Sequence, residues 1–230
     1  MDNRFEEQAE VLLDRAFNYY FLARFYREEV DVDLLLRMQE DLISDEGTPD
    51  LSDAASSGQK LLEGFMRSTA DADLNVIERQ LAAEYASLFL NVGKKPVYPF
   101  ESVYTSSEKL VMQKAYDEVL AIYRQEGLGK TELLREPEDH IAIELEFMAY
   151  LCQRCAEALQ AGEGDQALNY LAKQEGFLAE HLMVWVPAFC DDVEQAAKSD
   201  FYRGLAQLTR EFLSMEQEAV ASTRALIGEV

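Results

Sequence analysis

Glu136, Asp139, His140 and Glu144 fall within one short stretch, REPEDHIAIELEFMAY, which also holds one of the chain's two histidines. Residues three and four apart share a helix face, so this set can gather oxygen and nitrogen ligands around a metal, or act as an acid–base pair. A di-iron bundle would need two Glu-x-x-His pairs. Here Pro137 stands three residues before His140, and Leu178 three before His181. Cys152 and Cys155 form a C-x-x-C, but they lie on an apolar stripe with Ile141, Leu145, Met148 and Leu159. Thiols so placed behave as small core hydrophobes, and a four-thiolate zinc site has no fourth cysteine. No G-x-S-x-G elbow and no G-x-x-x-x-G-K-[ST] loop occurs, so neither an acyl-transfer serine nor a P-loop is marked. What remains is a binding surface. An apolar aromatic loop carries Tyr98, Phe100 and Tyr104, and an acidic lip carries Glu101, Glu136 and Asp139. Its complement is a peptide with an apolar stretch beside positive charge.

Composition narrows the partners. The chain has 230 residues and a formal net charge of -23, from 21 basic and 44 acidic side chains. Such a chain repels phosphate backbones, and the only adjacent basic pair is Lys94-Lys95, so no nucleic-acid partner is expected. The aromatic content of 10% and the regular apolar stripes argue for a packed core. No apolar run approaches the roughly 20 residues needed to span a membrane. The opening MDNRFEEQAE lacks the basic and apolar regions of a signal peptide, and three cysteines make no disulfide framework. A cytoplasmic protein, without membrane insertion, is expected.

The positioning elements read as helices. Phe5, Ala9, Leu12, Ala16, Tyr19, Ala23, Tyr26 and Val30 alternate spacings of four and three. Leu13, Phe17 and Tyr20 widen that stripe, which predicts a largely buried first helix. Asp31 or Asp33 caps a second helix near Leu34 to Ile43. A third covers roughly Leu51 to Met66, and a fourth starts near Asp73 with Ile77, Leu81, Tyr85 and Leu88 on one face. Pro96 and Pro99 break the chain between Asn91 and Tyr104. Thr105 to Glu108 reads as a capping box for a fifth helix ending by Gly127. Pro137 is placed in the first turn of the next helix, with Glu138 and Asp139 beside it. This presents Glu136, Asp139 and His140 at a rim. Further helices are expected from about Asp165 to Leu182, from Pro187, and from Asp200 with Phe201, Leu205, Leu208, Phe212 and Met215 as its stripe. Trp185 reads as core, on one face with His181 if the helix runs through both. All five prolines are assigned to loops or helix starts. No alternating strand is visible, so the expectation over residues 1–230 is all-α, a single globular domain of about nine or ten helices.

Several of these residues also resemble the TorD/DmsD/NarJ family of molybdoenzyme-specific chaperones. The resemblance rests on Tyr85, Leu88-Phe89, Pro96, Pro99, Glu101-Ser102-Val103-Tyr104, Glu136-Pro137, Asp139-His140, Glu144 and Phe147-Met148, then Phe177, His181, Trp185, Pro187, Phe189, Phe201-Tyr202 and Leu205. It covers roughly Tyr85 to Leu213, and the N-terminal part only in helix pattern. It implies a TorD-like helical bundle without catalysis and without a cofactor of its own. The implied partner is a molybdenum-containing oxidoreductase and its twin-arginine signal peptide, held until the cofactor is inserted and export can follow. Carried over, the family's motif points to Pro99, Glu101, Tyr104, Glu136, Pro137, Asp139 and His140 as client-binding residues. Asp139→Ala and His140→Ala are then expected to weaken peptide binding with helicity intact. The alternative role for both is to stitch the helix start to the neighbouring loop. Domain-swapped dimers occur in the family, and the breaks at 91–104 and 127–136 are the implied hinges. A metal- or nucleotide-dependent enzyme on an all-α bundle is the alternative function.

Overall fold

The computed structural model describes residues 3–43, 56–129 and 136–228. The expected start of the third helix at Leu51, and most of the break at 127–136, lie outside these residues. Among the described residues the fold is all-α, as expected. The helices are α1 (Asn3–Arg27), α2 (Val32–Ile43), α3 (Ser57–Ser68), α4 (Leu74–Phe89), α5 (Glu101–Thr105), α6 (Lys114–Gln125), α7 (Ile141–Gln160), α8 (Gly164–Phe177), α9 (Met183–Ala196) and α10 (Asp200–Gly228). A π-helical turn, Leu178–Leu182, joins α8 to α9. Among the described residues the one extended pairing is an isolated antiparallel bridge between Phe100 and His140.

The backbone groups into two compact units. One comprises Met1–Arg27, Pro99–Val186 and Leu213–Val230, the other Glu28–Tyr98 and Pro187–Phe212. In the first, α1 packs along α7, and α7 against α8. The predicted stripe of α1 is its buried face, from Ala9 through Leu12, Ala16, Tyr19, Ala23 and Tyr26. Leu13, Phe17 and Tyr20 do not widen it: all three are exposed, Phe17 by 67%. One face of a helix is enough to seat it on α7, and the flanking apolar positions stay at the surface. The core of α7 is likewise the predicted row, with Ile141, Leu145, Met148, Cys152, Cys155 and Leu159 all inaccessible. Cys155 Sγ donates to the Ala167 carbonyl at 3.4 Å, and burial pushes both thiols up to about 12, which makes them core groups.

In the second unit, α2 packs against α3 and α4. Asp31 accepts the Leu34 N–H at 2.8 Å, Ser56 the Gln59 N–H at 3.2 Å and Asp73 the Asn75 N–H at 3.0 Å, each a short polar side chain ending a helix. Phe89, Phe189, Phe201 and Tyr202 form its aromatic core.

Four local readings give way to tertiary structure. Thr105 to Glu108 opens no helix: Thr105 ends α5, and α6 begins nine residues later at Lys114. Pro137 is not in a helix; α7 starts at Ile141 with His140 as its cap, and Pro137 lies in the turn before it. Pro187 starts nothing. It sits in the second turn of α9, where it lacks the N–H that would otherwise reach back to the Met183 carbonyl at the helix start. On α10 Met215 is 65% exposed, because the buried row moves round to Leu213, Glu216, Val220 and Thr223.

Candidate functional site

The turn 136–140 and the short helix α5 are clasped together by backbone and side chain. Glu101 N–H donates to the Asp139 carbonyl at 2.9 Å, and Ser102 N–H to Asp139 Oδ2 at 2.9 Å. The Asp139 carboxylate thus caps the start of α5, where free N–H groups favour negative charge. In return Ile141 N–H donates to the Pro99 carbonyl at 2.9 Å. The Phe100 and His140 rings meet edge to face, 5.1 Å apart. His140 Nδ1 accepts the Ala142 N–H at 3.1 Å and so ends α7 as a cap. An accepting Nδ1 is unprotonated. Burial, and then the charge of Arg27, push the imidazole down to about 3, so His140 is neutral here.

The rim expected at this helix start is therefore mostly interior. Asp139 is 0% exposed, Glu101 3% and His140 5%; Pro99 is buried as well. Of the seven residues picked from sequence, Glu136 is exposed, while Pro137 and Tyr104 are half-buried. All seven do gather at the junction of α5 with the turn before α7. Tyr98, the third loop aromatic, belongs to the second unit, where it is exposed and its hydroxyl donates to Asn91 of the same unit at 3.3 Å.

Behind the clasp lies a buried polar cluster. His181 Nδ1 lies 3.0 Å from Glu101 Oε2. Trp185 Nε1–H donates to Glu144 Oε2 at 3.0 Å, and its ring lies 5.5 Å from that of Tyr104. The helical winding does run through His181 and Trp185, by way of the π-helical turn, a feature that recurs at functional sites. Burial raises Glu144 well above the usual carboxylate range, and the neighbouring Glu101 raises it further. Burial raises Asp139 too, against the pull of the Ser102 hydrogen bond. Among the described residues no group of three or more His, Cys, Asp and Glu is arranged to hold a metal ion.

A groove opens beside the turn. It has a volume of about 270 Å³, and Tyr20, Leu120, Tyr123, Ile143, Phe147 and Tyr150 supply most of its wall. Glu138 and Glu146 are its two carboxylates. Glu138 is hydrogen-bonded by the Tyr116 hydroxyl, and Glu146 is paired with Arg27. The Tyr123 and Phe147 rings are 4.7 Å apart, and Phe147 and Tyr150 stack at 6.2 Å. The sequence reading missed this groove. Its trace was a second row on α7, Ile143, Glu146, Phe147 and Tyr150, running beside the core stripe at helical spacing. The exposed Tyr20 on α1 meets that row from across the groove.

Comparison with known proteins agrees with this architecture. The family model for the nitrate reductase delta subunit matches residues 49–191. The chain is 31% identical over 144 residues to the chaperone protein TorD of Vibrio parahaemolyticus, covering 63% of this chain and 66% of that protein. It is 26% identical over 208 residues to a Vibrio cholerae TorD, covering 90% and 91%. It is also 26% identical over 225 residues to the Aliivibrio salmonicida TorD, covering 95% and 97%. By these matches the chain belongs to the nitrate reductase delta subunit family, alongside the TorD chaperone proteins.

Proposed function

We propose that the protein is a cytoplasmic chaperone, acting as one domain over residues 1–230. It binds the twin-arginine signal peptide and the apo form of a molybdenum-containing oxidoreductase, so that cofactor insertion precedes export, and it catalyses no reaction. One observation carries this reading: an aromatic groove with a carboxylate border opens beside the Glu136–His140 turn, in a chain of net charge -23. A twin-arginine leader offers the complement, two guanidiniums followed by an apolar segment. Guanidiniums pair bidentately with carboxylates, and an apolar helix gains by laying its greasy side in such a groove.

The seven motif residues divide by accessibility. Glu136, Pro137 and Tyr104 are proposed to touch the client. Pro99, Glu101, Asp139 and His140 hold the surface in shape through the clasp. The stitching role and the binding role are thus two layers of one site. Exchange of segments between two copies, through the break at 91–104, would give the homodimer that the resemblance implies.

Isothermal calorimetry with a synthetic twin-arginine leader tests this. Glu136→Ala and Tyr150→Ala are each expected to weaken binding roughly tenfold or more, as loss of an interface anchor does, with the circular dichroism unchanged. A leader whose two arginines are replaced by alanine should bind more weakly still. Equal affinity of wild type for both leaders would overturn the reading.

A further inference from the structure

Glu144 is 0% exposed and one of its oxygens, Oε1, has no hydrogen-bond donor in the protein. The other is satisfied by Trp185. Its carboxyl lies within hydrogen-bonding reach of the Glu101 carboxyl, itself 3% exposed. Two carboxylates cannot bond to each other; one of them has to supply a proton. Left ionised, the pair would be two like charges in contact in a dry interior, which is among the costliest arrangements a fold can hold. A single proton removes both the orphaned oxygen and the repulsion. The surroundings say which carboxyl holds it. Glu101 has His181 Nδ1 at 3.0 Å, and with the proton on that nitrogen Glu101 is the acceptor. Glu144 has only the neutral indole N–H of Trp185. The other titratable groups that face the pair are Asp139 in the turn, whose charge acts against a second negative one, and Tyr123 on α6, a phenol that burial and these carboxyls keep neutral.

We propose that Glu144 is a carboxylic acid that donates its proton to the ionised Glu101. This bond latches α5 onto α7, and loss of the proton loosens α5 together with the Pro99–Tyr104 edge of the client surface, leaving the backbone clasp as its remaining tie. The latch rests on the burial of the two carboxyls, the orphaned Glu144 oxygen and their His181 and Trp185 partners; only its consequence for a client rests on the function proposed above. The sign follows from linkage. The latched form holds one more proton than the released form, so opening should become about tenfold easier per pH unit once the released carboxyl is ionised.

Trp185 is the chain's single tryptophan and donates to the latch, so its fluorescence reports on this one place. Emission of Trp185 and amide exchange of residues 99–105 are followed from pH 5 to pH 9, the exchange corrected for its intrinsic base catalysis. In wild type we expect protection of 99–105 to fall by about a factor of ten per pH unit over part of this range, with a parallel change in Trp185 emission. Glu144→Gln keeps a donor toward Glu101 and an acceptor for Trp185, so it should hold protection and emission flat. A flat wild-type profile, or the same transition in Glu144→Gln, overturns the latch. Infrared difference spectra of the wild type provide a reading that no variant's folding can spoil. A protonated carboxyl band in the folded protein at neutral pH supports the proposal, and its absence refutes it. None of these arms uses a client, so the latch can fail while leader binding stands. Leader binding can likewise fail while the latch stands.

Discussion

Arg15 on α1 and Glu216 on α10 stand 201 positions apart in the chain, yet share an inaccessible ion pair. Arg15 Nε donates to both carboxylate oxygens at 3.0 Å, and Nη2 donates to Oε2 at 2.7 Å and to Gln174 on α8 at 2.9 Å. Gln174 in turn donates to the Leu151 carbonyl of α7 at 3.3 Å. One guanidinium thereby ties four helices of the first unit. A pair this dry gives little net stability, but removing one half strands the other. Glu216→Ala should lower the unfolding free energy by about 3–5 kcal/mol. Replacing both residues together, Arg15→Met with Glu216→Leu, should restore most of it. Urea denaturation of the three proteins checks this; equal losses for single and double variants would contradict it.

Acid should act through His140. The folded protein holds this imidazole neutral down to about pH 3, whereas an unfolded histidine takes a proton near pH 6.5. Between these values the unfolded chain binds the extra proton, so stability is full above about 6.5 and drains away as pH falls, by about 1.4 kcal/mol per unit. His140→Asn retains an acceptor for the Ala142 N–H and has no such proton. The difference in stability between wild type and His140→Asn, measured by denaturation from pH 7 to pH 4, should shift against wild type with that slope. A pH-independent difference would show that His140 is not the group.

The clasp itself can be weighed. Asp139→Asn keeps a side-chain oxygen for the Ser102 N–H but drops the charge that favours the start of α5; Asp139→Ala drops both. Losing a buried cap costs about 1–2 kcal/mol, and an orphaned buried N–H adds about 1–3 kcal/mol. Asp139→Ala should therefore lower the melting temperature by several degrees, with Asp139→Asn in between. The sequence left two roles open for Asp139, binding with helicity intact or stitching the helix start to the loop, and a lowered melting temperature is the mark of the second. Differential scanning calorimetry decides between them.

In the second unit, Gly58 of α3 approaches α10 so closely that an added Cβ would stand 2.2 Å from the Leu208 nitrogen and 2.6 Å from the Gly204 carbonyl. Backbone cannot give way as a side-chain tip can. Gly58→Ala should cost about 1–3 kcal/mol by overpacking. Gly64→Ala on the same helix meets nothing within 4 Å and should be neutral or slightly stabilising. Thermal melts of the two variants give the comparison.

The helices were legible because their apolar rows recur locally, and the buried faces of α1, α4 and α7 coincide with rows read from spacing. The clasp was not. Its two key bonds link Asp139 to residues 101 and 102, some 37 positions away, and no local pattern carries such a partner. The same distance explains the misplaced helix starts. Thr105–Glu108 looks like a cap in isolation, but Ser102 Oγ accepts the Gln113 N–H at 2.9 Å, and that contact helps define where α6 can begin. Glu101 and Asp139 were read as surface because carboxylates usually are; their partners Ser102 and His181 are what make burial tolerable. The motif residues were found through resemblance, while the groove wall went unnoticed because tyrosine and phenylalanine on a helix look like ordinary core.

All three cysteines are buried, with thiols pushed up to about 12. A maleimide or a thiol-directed spin label, which is attacked only by a thiolate that can reach it, should therefore pass over the native protein. A lone cysteine introduced at the exposed Glu136 would then take the tag by itself. The natural chain needs no cysteine removed before a dye or crosslinker is set on the turn beside the groove.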